Sequence, residues 1–272
     1  MDLGLQNKSG IVVGASRGIG KAIALELSRE GVDLAIVARN QDELSATAQE
    51  ITDQTGRKVV PICADVTDRD SVEAMVESAA TQLRGLNILI NSGSAPGGSP
   101  NATGRIDSIV DEDFLWDFNV KYMGALRCAR AAIPYLKKSG WGRIINISGL
   151  NARRAGNLSG GARNTSLVHF TRTLAMQLGR DGITVNCIHP GTTRTERTAH
   201  LLAARAKELG ISAAELEAND YAAESPRANS IGRMVDASEI GDLAVFLCSD
   251  RAWALNGEVL AADGGGSPAV YY

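Results

Sequence analysis

The chain has 272 residues, enough to bury a sizeable core in one large or two small domains, and its formal net charge is only −3. This balance gives no reason to expect nucleic acid or an acidic membrane surface as a partner, and no apolar run approaches the length of a membrane span. The cysteines lack CxxC or Cys/His spacing, and the first ten residues lack the features of a signal peptide. We therefore expect a cytoplasmic protein with reduced thiols and no metal site.

An apolar run near the start of the chain ends in a glycine-rich turn. Residues 11–20 have the sequence IVVGASRGIG, and apolar residues at helical spacing follow from Ile23. Glycines let the backbone turn sharply and approach a pyrophosphate, while a helix N-terminus offers N–H groups and a positive dipole end to an anion. The strand, turn and helix context therefore predicts a dinucleotide site. The turn residues expected to contact the cofactor are Gly14, Ser16, Arg17, Gly18, Ile19 and Gly20.

The residue after the second predicted strand, 32–37, bears on which dinucleotide binds. In NAD-binding domains an acidic residue about 20 positions past the glycines commonly holds the ribose 2′-hydroxyl. Here Ala38 and Arg39 follow the strand, and Arg17 lies inside the turn. Two guanidinium groups suit a 2′-phosphate, which accepts bidentate hydrogen bonds. We therefore favour NADP(H) over NAD(H), and NAD(H) stays the alternative.

Strand and helix patterns alternate along the rest of the chain. Further strands are predicted at 59–64, 86–90, 142–147, 183–188 and 258–262. Helices are predicted at 43–51, 72–83, 113–138, 159–178 and 238–247, and the polar segment 192–233 interrupts the rhythm. Near-continuous apolar strands in such alternation indicate a parallel sheet covered on both faces. We expect one α/β domain over 1–272, a doubly wound Rossmann fold of about seven parallel strands with helices on both faces.

These motifs make the chain resemble the short-chain dehydrogenase/reductase family over nearly its whole length. GASRGIG matches the family's cofactor turn, and Asp263-Gly264-Gly265 matches its C-terminal motif. The resemblance adds to the expected cofactor site Asp65, Val66, Asn91, Gly93, Pro190, Gly191, Thr193 and Thr195. It also implies that 192–233 is a substrate lid. Finally, it implies a homo-oligomer, a tetramer or a dimer, formed through the helices 113–138 and 159–178.

The family's catalysis depends on a tetrad of Asn, Ser, Tyr and Lys, which this chain does not display at the matching positions. In the family the tyrosine transfers the proton at the substrate oxygen, the lysine lowers its pKa, the serine orients the carbonyl and the asparagine holds a water. Counting from the flanking motifs places Gly149 at the serine, Gly160 at the tyrosine and Asn164 at the lysine. Lys121 falls at the asparagine. No Tyr-x3-Lys occurs anywhere in the chain.

Other frames stay open. A short loop moves the tyrosine and lysine positions to Ala162 and Ser166, which does not restore the pair. Ser148, one residue before the serine position, could substitute if the strand end twists, because adjacent strand residues normally face opposite ways. Asn119 could replace the asparagine if the helix kinks.

The expected catalytic residues are Lys121, Ser148 and Asn164. A lysine in a partly desolvated cleft can have a lowered pKa and act as an acid, a base or a Schiff-base nucleophile, although a surface lysine is the alternative. The expected substrate residues are Asn151, Arg153, Arg154 and Arg163. Their arginines could bind an anion such as a carboxylate, or could instead belong to a solvated loop or a subunit contact.

Three functions are open at this point. The favoured one is an atypical NADP(H)-dependent oxidoreductase acting on a carbonyl or hydroxyl group of a small molecule, with a rebuilt proton-transfer site. The second is a lyase, isomerase or hydrolase without net redox chemistry on the same scaffold. The third is a catalytically inactive nucleotide-binding protein.

Overall fold

A seven-stranded parallel sheet forms the centre of the molecule, whose computed structural model describes residues 2–94 and 98–266. The strands in these ranges are β1 (Ser9–Val13), β2 (Asp33–Ala38), β3 (Val59–Cys63), β4 (Ile88–Asn91), β5 (Gly142–Ile147), β6 (Ile183–Pro190), β7 (Thr193–Arg194), β8 (Val235–Asp236) and β9 (Val259–Ala262). The sheet has the order β3-β2-β1-β4-β5-β6-β9, with every neighbouring pair parallel. The predicted doubly wound fold is confirmed.

Helices cover both faces of this sheet. In the same ranges the α-helices are α1 (Gly18–Arg29), α2 (Gln41–Thr55), α3 (Arg69–Gln82), α4 (Asp111–Phe118), α5 (Gly124–Ser139), α6 (Leu158–Leu178), α7 (Glu196–Leu209), α8 (Ala213–Asp220) and α9 (Ala237–Cys248). The predicted helix 113–138 is α4 and α5 joined by a π-helical turn, Asn119–Met123. The apolar spacing predicted the helix but not this turn, because one inserted residue hardly changes the pattern of buried positions.

Alternate strand residues enter two separate cores. On β1, Ile11 and Val13 belong to the core that includes residues of α3, α5 and α6, whereas Val12 belongs to the core that includes residues of α1, α2 and α9. Adjacent strand residues point to opposite faces of a sheet, so both faces are apolar and both are covered. This double burial explains why most of the strands are near-continuous apolar runs in the sequence.

The carboxyl ends of β1 and β4 define a crevice in the sheet. These strands are neighbours, but the chain continues from β1 towards β3 and from β4 towards β9, so the strand order reverses between them. In such sheets ligands bind at this reversal. The turns after the two strands also touch, since a Cβ on Gly14 would lie 2.8 Å from Gly93 Cα. The fold therefore places the glycine-rich turn at the expected ligand crevice.

Residues 192–233, predicted as a polar interruption, form a separate layer beside this crevice. They include α7 and α8, which pack through a small cluster of Leu202, Ala206 and Leu216. β7 pairs in parallel with β8, so the layer leaves and rejoins the domain at one two-stranded ribbon. In the described ranges, none of the helices is both long and apolar enough to cross a bilayer.

Asp117 joins α4 to α6 in the interior and generates a first prediction. Its carboxylate is fully buried and accepts hydrogen bonds from the Ser99 N–H, at 3.0 Å, and from Ser159 Oγ, at 2.5 Å. It also faces the buried guanidinium of Arg163. Removing one member of a buried charged set leaves the other uncompensated. We therefore expect Asp117→Ala to lower the free energy of unfolding in urea by about 3 kcal/mol.

Asp113→Ala is the matched control on the same helix. Asp113 accepts hydrogen bonds from Ser99 Oγ and Asn101 Nδ2 but is partly exposed. Its loss should cost about 1 kcal/mol. Equal losses for the two variants would contradict a special contribution from the buried carboxylate.

Candidate active site

The turn between β1 and α1 leaves the start of the helix without a cap of its own. Arg17 is the N-cap residue, its side chain makes no capping hydrogen bond, and the first turn of α1 contains no acidic residue. A Cβ on Gly20 would lie 2.1 Å from Gly14 O, so only glycine permits this close approach of the two backbone segments. The start of α1 therefore has no capping side chain in its own turn, and a helix N-terminus of this kind fits a pyrophosphate.

Two cations lie beside this turn. Arg17 and Arg39 are exposed, and neither side chain forms a hydrogen bond or ion pair with another described residue. The turn itself is held in place by Thr47, whose hydroxyl donates to Ser16 O at 2.8 Å. The adjacent Asn40 side chain caps α2. Both guanidinium groups are therefore free to bind a phosphate.

Asp65 and Val66 follow β3 on the same side of the sheet. Partial burial alone would raise the pKa of the Asp65 carboxyl, but hydrogen bonds from Thr67 and the charges of Arg39 and Arg127 lower it, so the group stays ionised. Val66 packs closely on α5, since a Cβ on Gly124 would lie 2.9 Å from Val66 Cγ2.

Asn91 and Gly93 follow β4 but have different surroundings. The Asn91 amide donates to Asn146 Oδ1 at 2.9 Å, and Asn146 donates in turn to Thr171 Oγ1. The Asn91 side chain therefore links β4 to β5 and α6. Gly93, by contrast, lies against Gly14 at the crevice.

The loop after β6 forms the opposite bank of the crevice. A Cβ on Gly191 would lie 2.6 Å from Asp263 Cα, so the residue after Pro190 must be small. Thr193 Oγ1 donates to Gly191 O, and Thr195 caps α7 together with Thr198. Thr195 Cγ2 lies 3.6 Å from the position of a Cβ on Gly18, so the two banks lie close together here.

The π-helical turn brings Lys121 into the interior beside the end of β5. Its side chain is only 8% exposed, and Nζ donates to Ser148 O at 3.0 Å. Ser148 Oγ donates to Asn164 O, also at 3.0 Å. The three residues predicted to be catalytic thus form one connected group. Asn119, the alternative to Lys121, instead accepts a hydrogen bond from Arg127 through its side chain.

Burial changes the acid–base properties of this group. Desolvation, reinforced by the positive charge of Arg163, lowers the pKa of Lys121 to about 7, although Cys187 opposes this shift. Burial and the charges of Arg153 and Lys121 lower the pKa of His189 to about 4, so this histidine is neutral. Burial raises the pKa of Cys187 to about 12, so this thiol is neutral as well. Of Lys121, His189 and Cys187, Lys121 is the one whose pKa lies near neutral pH.

Asparagine side chains fill the space beside Gly149 and Gly160, the two glycines that the sequence predicted at the family's serine and tyrosine positions. A Cβ on Gly149 would lie 2.8 Å from Asn164 Nδ2. The backbone φ of Gly149 is 172°, which any residue adopts, so neighbouring atoms and not backbone strain favour glycine there. A Cβ on Gly160 would lie 2.6 Å from Asn151 Nδ2 and 2.7 Å from Asn157 Oδ1.

The predicted substrate residues divide between two places. Arg154 lines a cavity of about 570 Å³ between the loop after β6 and residues 192–233. Arg153 donates to Val259 O, Asn151 faces α6, and Arg163 is buried beside Asp117, so these three do not line the cavity. The structure therefore brings only Arg154 of the set to this cavity.

Sequence reasoning missed most of the cavity wall. Besides Arg154, its charged residues are Arg205, Arg227, Glu208, Asp220 and Asp263. The three basic and three acidic side chains leave the wall without a formal net charge. Arg205 forms an ion pair with Asp220, with 2.8 Å between Nη1 and Oδ2. The apolar part of the wall includes Leu150, Leu202, Tyr221 and Met234. No local motif marks these residues, since tertiary packing alone assembles them.

The described residues include no group of three or more His, Cys, Asp or Glu side chains suited to a metal ion.

A doubly wound parallel sheet with a glycine-rich turn at its strand-order reversal is a dinucleotide-binding domain of the Rossmann type. A family model described as enoyl-(acyl carrier protein) reductase matches residues 14–267. The chain therefore belongs to the short-chain dehydrogenase/reductase family, as the motifs predicted.

Two reductases are among the relatives of this chain. The NADPH-dependent reductase BacG of Bacillus subtilis is 29% identical over 98% of this chain and 100% of its own length. The short-chain reductase protein NovJ of Streptomyces niveus is 31% identical over 96% of this chain and 94% of its own. A solved structure, L-sorbose reductase of Gluconobacter frateurii complexed with NADPH and L-sorbose, matches with a TM-score of 0.89 and 29% identity, covering 99% of this chain and all of that one.

Burial of Lys121 generates a second prediction, on stability. The unfolded chain keeps this proton up to the ordinary pKa of 10.5, whereas the folded chain releases it near 7. The buried ammonium therefore destabilises the fold below pH 7, and the penalty disappears as the pH rises towards 10.5. We expect Lys121→Met to be about 1 to 4 kcal/mol more stable than the wild type near pH 6, with a smaller gain near pH 10, as measured by urea unfolding.

Lys137→Met is the control, because Lys137 is half exposed and pairs with Asp181 at the surface. Its effect should be small and the same at both pH values. A Lys121→Met effect that does not change with pH would rule out the lowered pKa.

Proposed function

We propose that the chain is an NADP(H)-dependent oxidoreductase that interconverts a carbonyl and a hydroxyl group on a small molecule, with Lys121 as its proton-transfer group. The observation that carries this proposal is the Lys121 ammonium, which is buried at the carboxyl end of β5, hydrogen-bonded to Ser148 O and has a pKa of about 7. A group with a pKa near the working pH is the most effective general acid or base.

NADP(H) is the cofactor that the residues fit. The start of α1, which has no capping side chain of its own, suits the pyrophosphate, and the exposed Arg17 and Arg39, which form no ion pair with another described residue, suit a 2′-phosphate. BacG is NADPH-dependent and the L-sorbose reductase structure contains NADPH, which supports the same choice here. The other expected contacts are Asp65, Val66 and Gly93 on the adenine side and Pro190, Gly191, Thr193 and Thr195 on the nicotinamide side.

The chain's own residues would supply orientation and the proton. When bound, the nicotinamide supplies or accepts the hydride. In the reducing direction, protonated Lys121 donates its proton to the substrate oxygen; in the oxidising direction, neutral Lys121 accepts it. Ser148 positions Lys121 through its carbonyl oxygen. Asn164 stands at the family's lysine position, and its Oδ1 is buried without a described partner, so it suits a ribose hydroxyl.

We assign residues 192–233 as the substrate lid, because α7 and α8 cover the cavity that opens beside Gly191. Arg154 would bind an anionic group of the substrate, while the apolar wall would hold its carbon skeleton. Arg153 and Asn151 lie behind the cavity wall and would hold the wall in position. Arg163 would act on Lys121 through its charge.

A homo-oligomer is part of the proposal. Large apolar side chains are exposed on the two helical segments expected to form the interface, namely Leu115 and Trp116 on α4 and Leu158 and Met176 on α6. Exposed apolar groups of this size commonly mark protein contacts.

The cofactor assignment is tested by calorimetric titration with NADPH and NADH. We expect NADPH to bind more tightly, and Arg39→Asp to weaken NADPH binding by about tenfold or more while changing NADH binding about twofold or less. Arg180→Asp, at an exposed arginine beside the amino end of β6, should change neither. Equal effects of Arg39→Asp on both nucleotides would contradict the 2′-phosphate site.

The role of Lys121 is tested with a panel of carbonyl compounds, neutral and carboxylate-bearing, followed by NADPH absorbance. Reduction requires the protonated lysine, so its rate should fall above about pH 7, and alcohol oxidation should rise over the same interval. Lys121→Met should lose about a hundredfold in rate or more and keep its affinity for NADPH.

Two outcomes would exclude this role. A wild-type rate retained by Lys121→Met would assign proton transfer to another group. NADPH binding without turnover of any compound would favour a catalytically inactive nucleotide-binding protein, whereas turnover without NADPH consumption would favour a lyase, isomerase or hydrolase.

A further inference from the structure

The first residue of α7 reaches across the crevice to the glycine-rich turn. Glu196 Oε2 accepts a hydrogen bond from the Gly18 N–H at 3.0 Å. Gly18 is the first residue of α1, so this carboxylate lies at the helix N-terminus that suits the cofactor pyrophosphate. The carboxylate comes from the segment assigned as the substrate lid.

The contact between Glu196 and Gly18 supplies the N-terminal anion that α1 lacks. Arg17 makes no capping hydrogen bond and the first turn of α1 has no acidic residue, so the helix has no anion of its own. Glu196 supplies one from 178 residues further along the chain. Carboxylates are stabilised at helix N-termini by the dipole and by the unpaired N–H groups.

The position of Glu196 is firmly set by its neighbours. Thr195 and Thr198 form the cap that starts α7, and Arg194, in β7, is bonded to Asp236 in β8 and to Glu217 in α8. The Glu196 carboxylate itself is exposed and forms no ion pair with another described residue. Its one described partner outside α7 is therefore the Gly18 N–H.

We propose that Glu196 is a determinant of cofactor affinity, because its carboxylate takes the anion position at the start of α1 and the pyrophosphate must displace it. The inference rests on the proposed NADP(H) site. One N–H cannot serve two anions, and a carboxylate left beside a pyrophosphate repels it. Since Glu196 is the first residue of α7, the contact also links the glycine-rich turn to the segment assigned as the lid.

The test uses two variants that separate charge from contact. Glu196→Gln keeps an oxygen that can accept from Gly18 but removes the charge; Glu196→Ala removes both. Glu224→Gln, an exposed glutamate in the same segment without a described side-chain bond, is the control for net charge. NADPH affinity is measured by calorimetry and the association rate by stopped-flow fluorescence of NADPH.

We expect Glu196→Ala to bind NADPH about threefold to tenfold more tightly than the wild type and to associate faster, with Glu196→Gln between the two. The gain should shrink at high salt, because screening weakens the repulsion between exposed charges. Without NADPH, hydrogen exchange at the Gly18 amide should be faster in Glu196→Ala than in the wild type. Glu224→Gln should match the wild type throughout.

The opposite results separate failure of this inference from failure of the proposed function. If the wild type binds NADPH and Glu196→Ala binds it equally or more weakly, the carboxylate does not compete with the cofactor and the inference is wrong. If neither protein binds NADPH, the proposed cofactor and the inference are both wrong. Unchanged exchange at the Gly18 amide would show that the contact does not form in solution, which also overturns the inference.

Discussion

The buried ammonium of Lys121 is the constraint on which the arrangement of the candidate active site depends. A charge in the interior needs an acceptor, and Ser148 O provides it. A second buried cation, Arg163, lies near enough to lower the pKa of Lys121. The carboxylate of Asp117 offsets the charge of Arg163. Asp117 in turn joins α4, α6 and residues 98–99. Asp117 therefore links this buried group of charges to the packing between α4 and α6.

The residues around Lys121 fit together as a set. Asn164 fills the space that a side chain at Gly149 would need, while Asn151 and Asn157 fill the space beside Gly160. Each glycine is matched by an amide that could not stay in place if the glycine were replaced. A serine at 149 or a tyrosine at 160 would therefore have to be accompanied by changes elsewhere, and a single substitution would create a clash before it created an acid–base group.

The fold was predictable from the sequence because short stretches of residues determine its strands, turns and helices. The apolar run 11–13 and the glycine-rich turn that follows it are each recognisable within a few residues of sequence. The site was less predictable, because tertiary packing orients its side chains. No local pattern indicated that the Asn91 side chain links β4 to β5 or that Arg163 is buried beside Asp117. The cavity wall from residues 205–227 has no motif.

The two-stranded ribbon of β7 and β8 separates sequence changes that alter the cavity from changes that alter the main sheet. Everything between Thr195 and Met234 leaves and rejoins the domain at one pair of adjacent strands, outside the main sheet. Insertions, deletions or replacements in α7 and α8 can therefore alter the cavity without disturbing the register of any strand that supports the nucleotide crevice. We therefore expect the segment to tolerate sequence change along the cavity wall more readily than at Glu196, which contacts the glycine-rich turn.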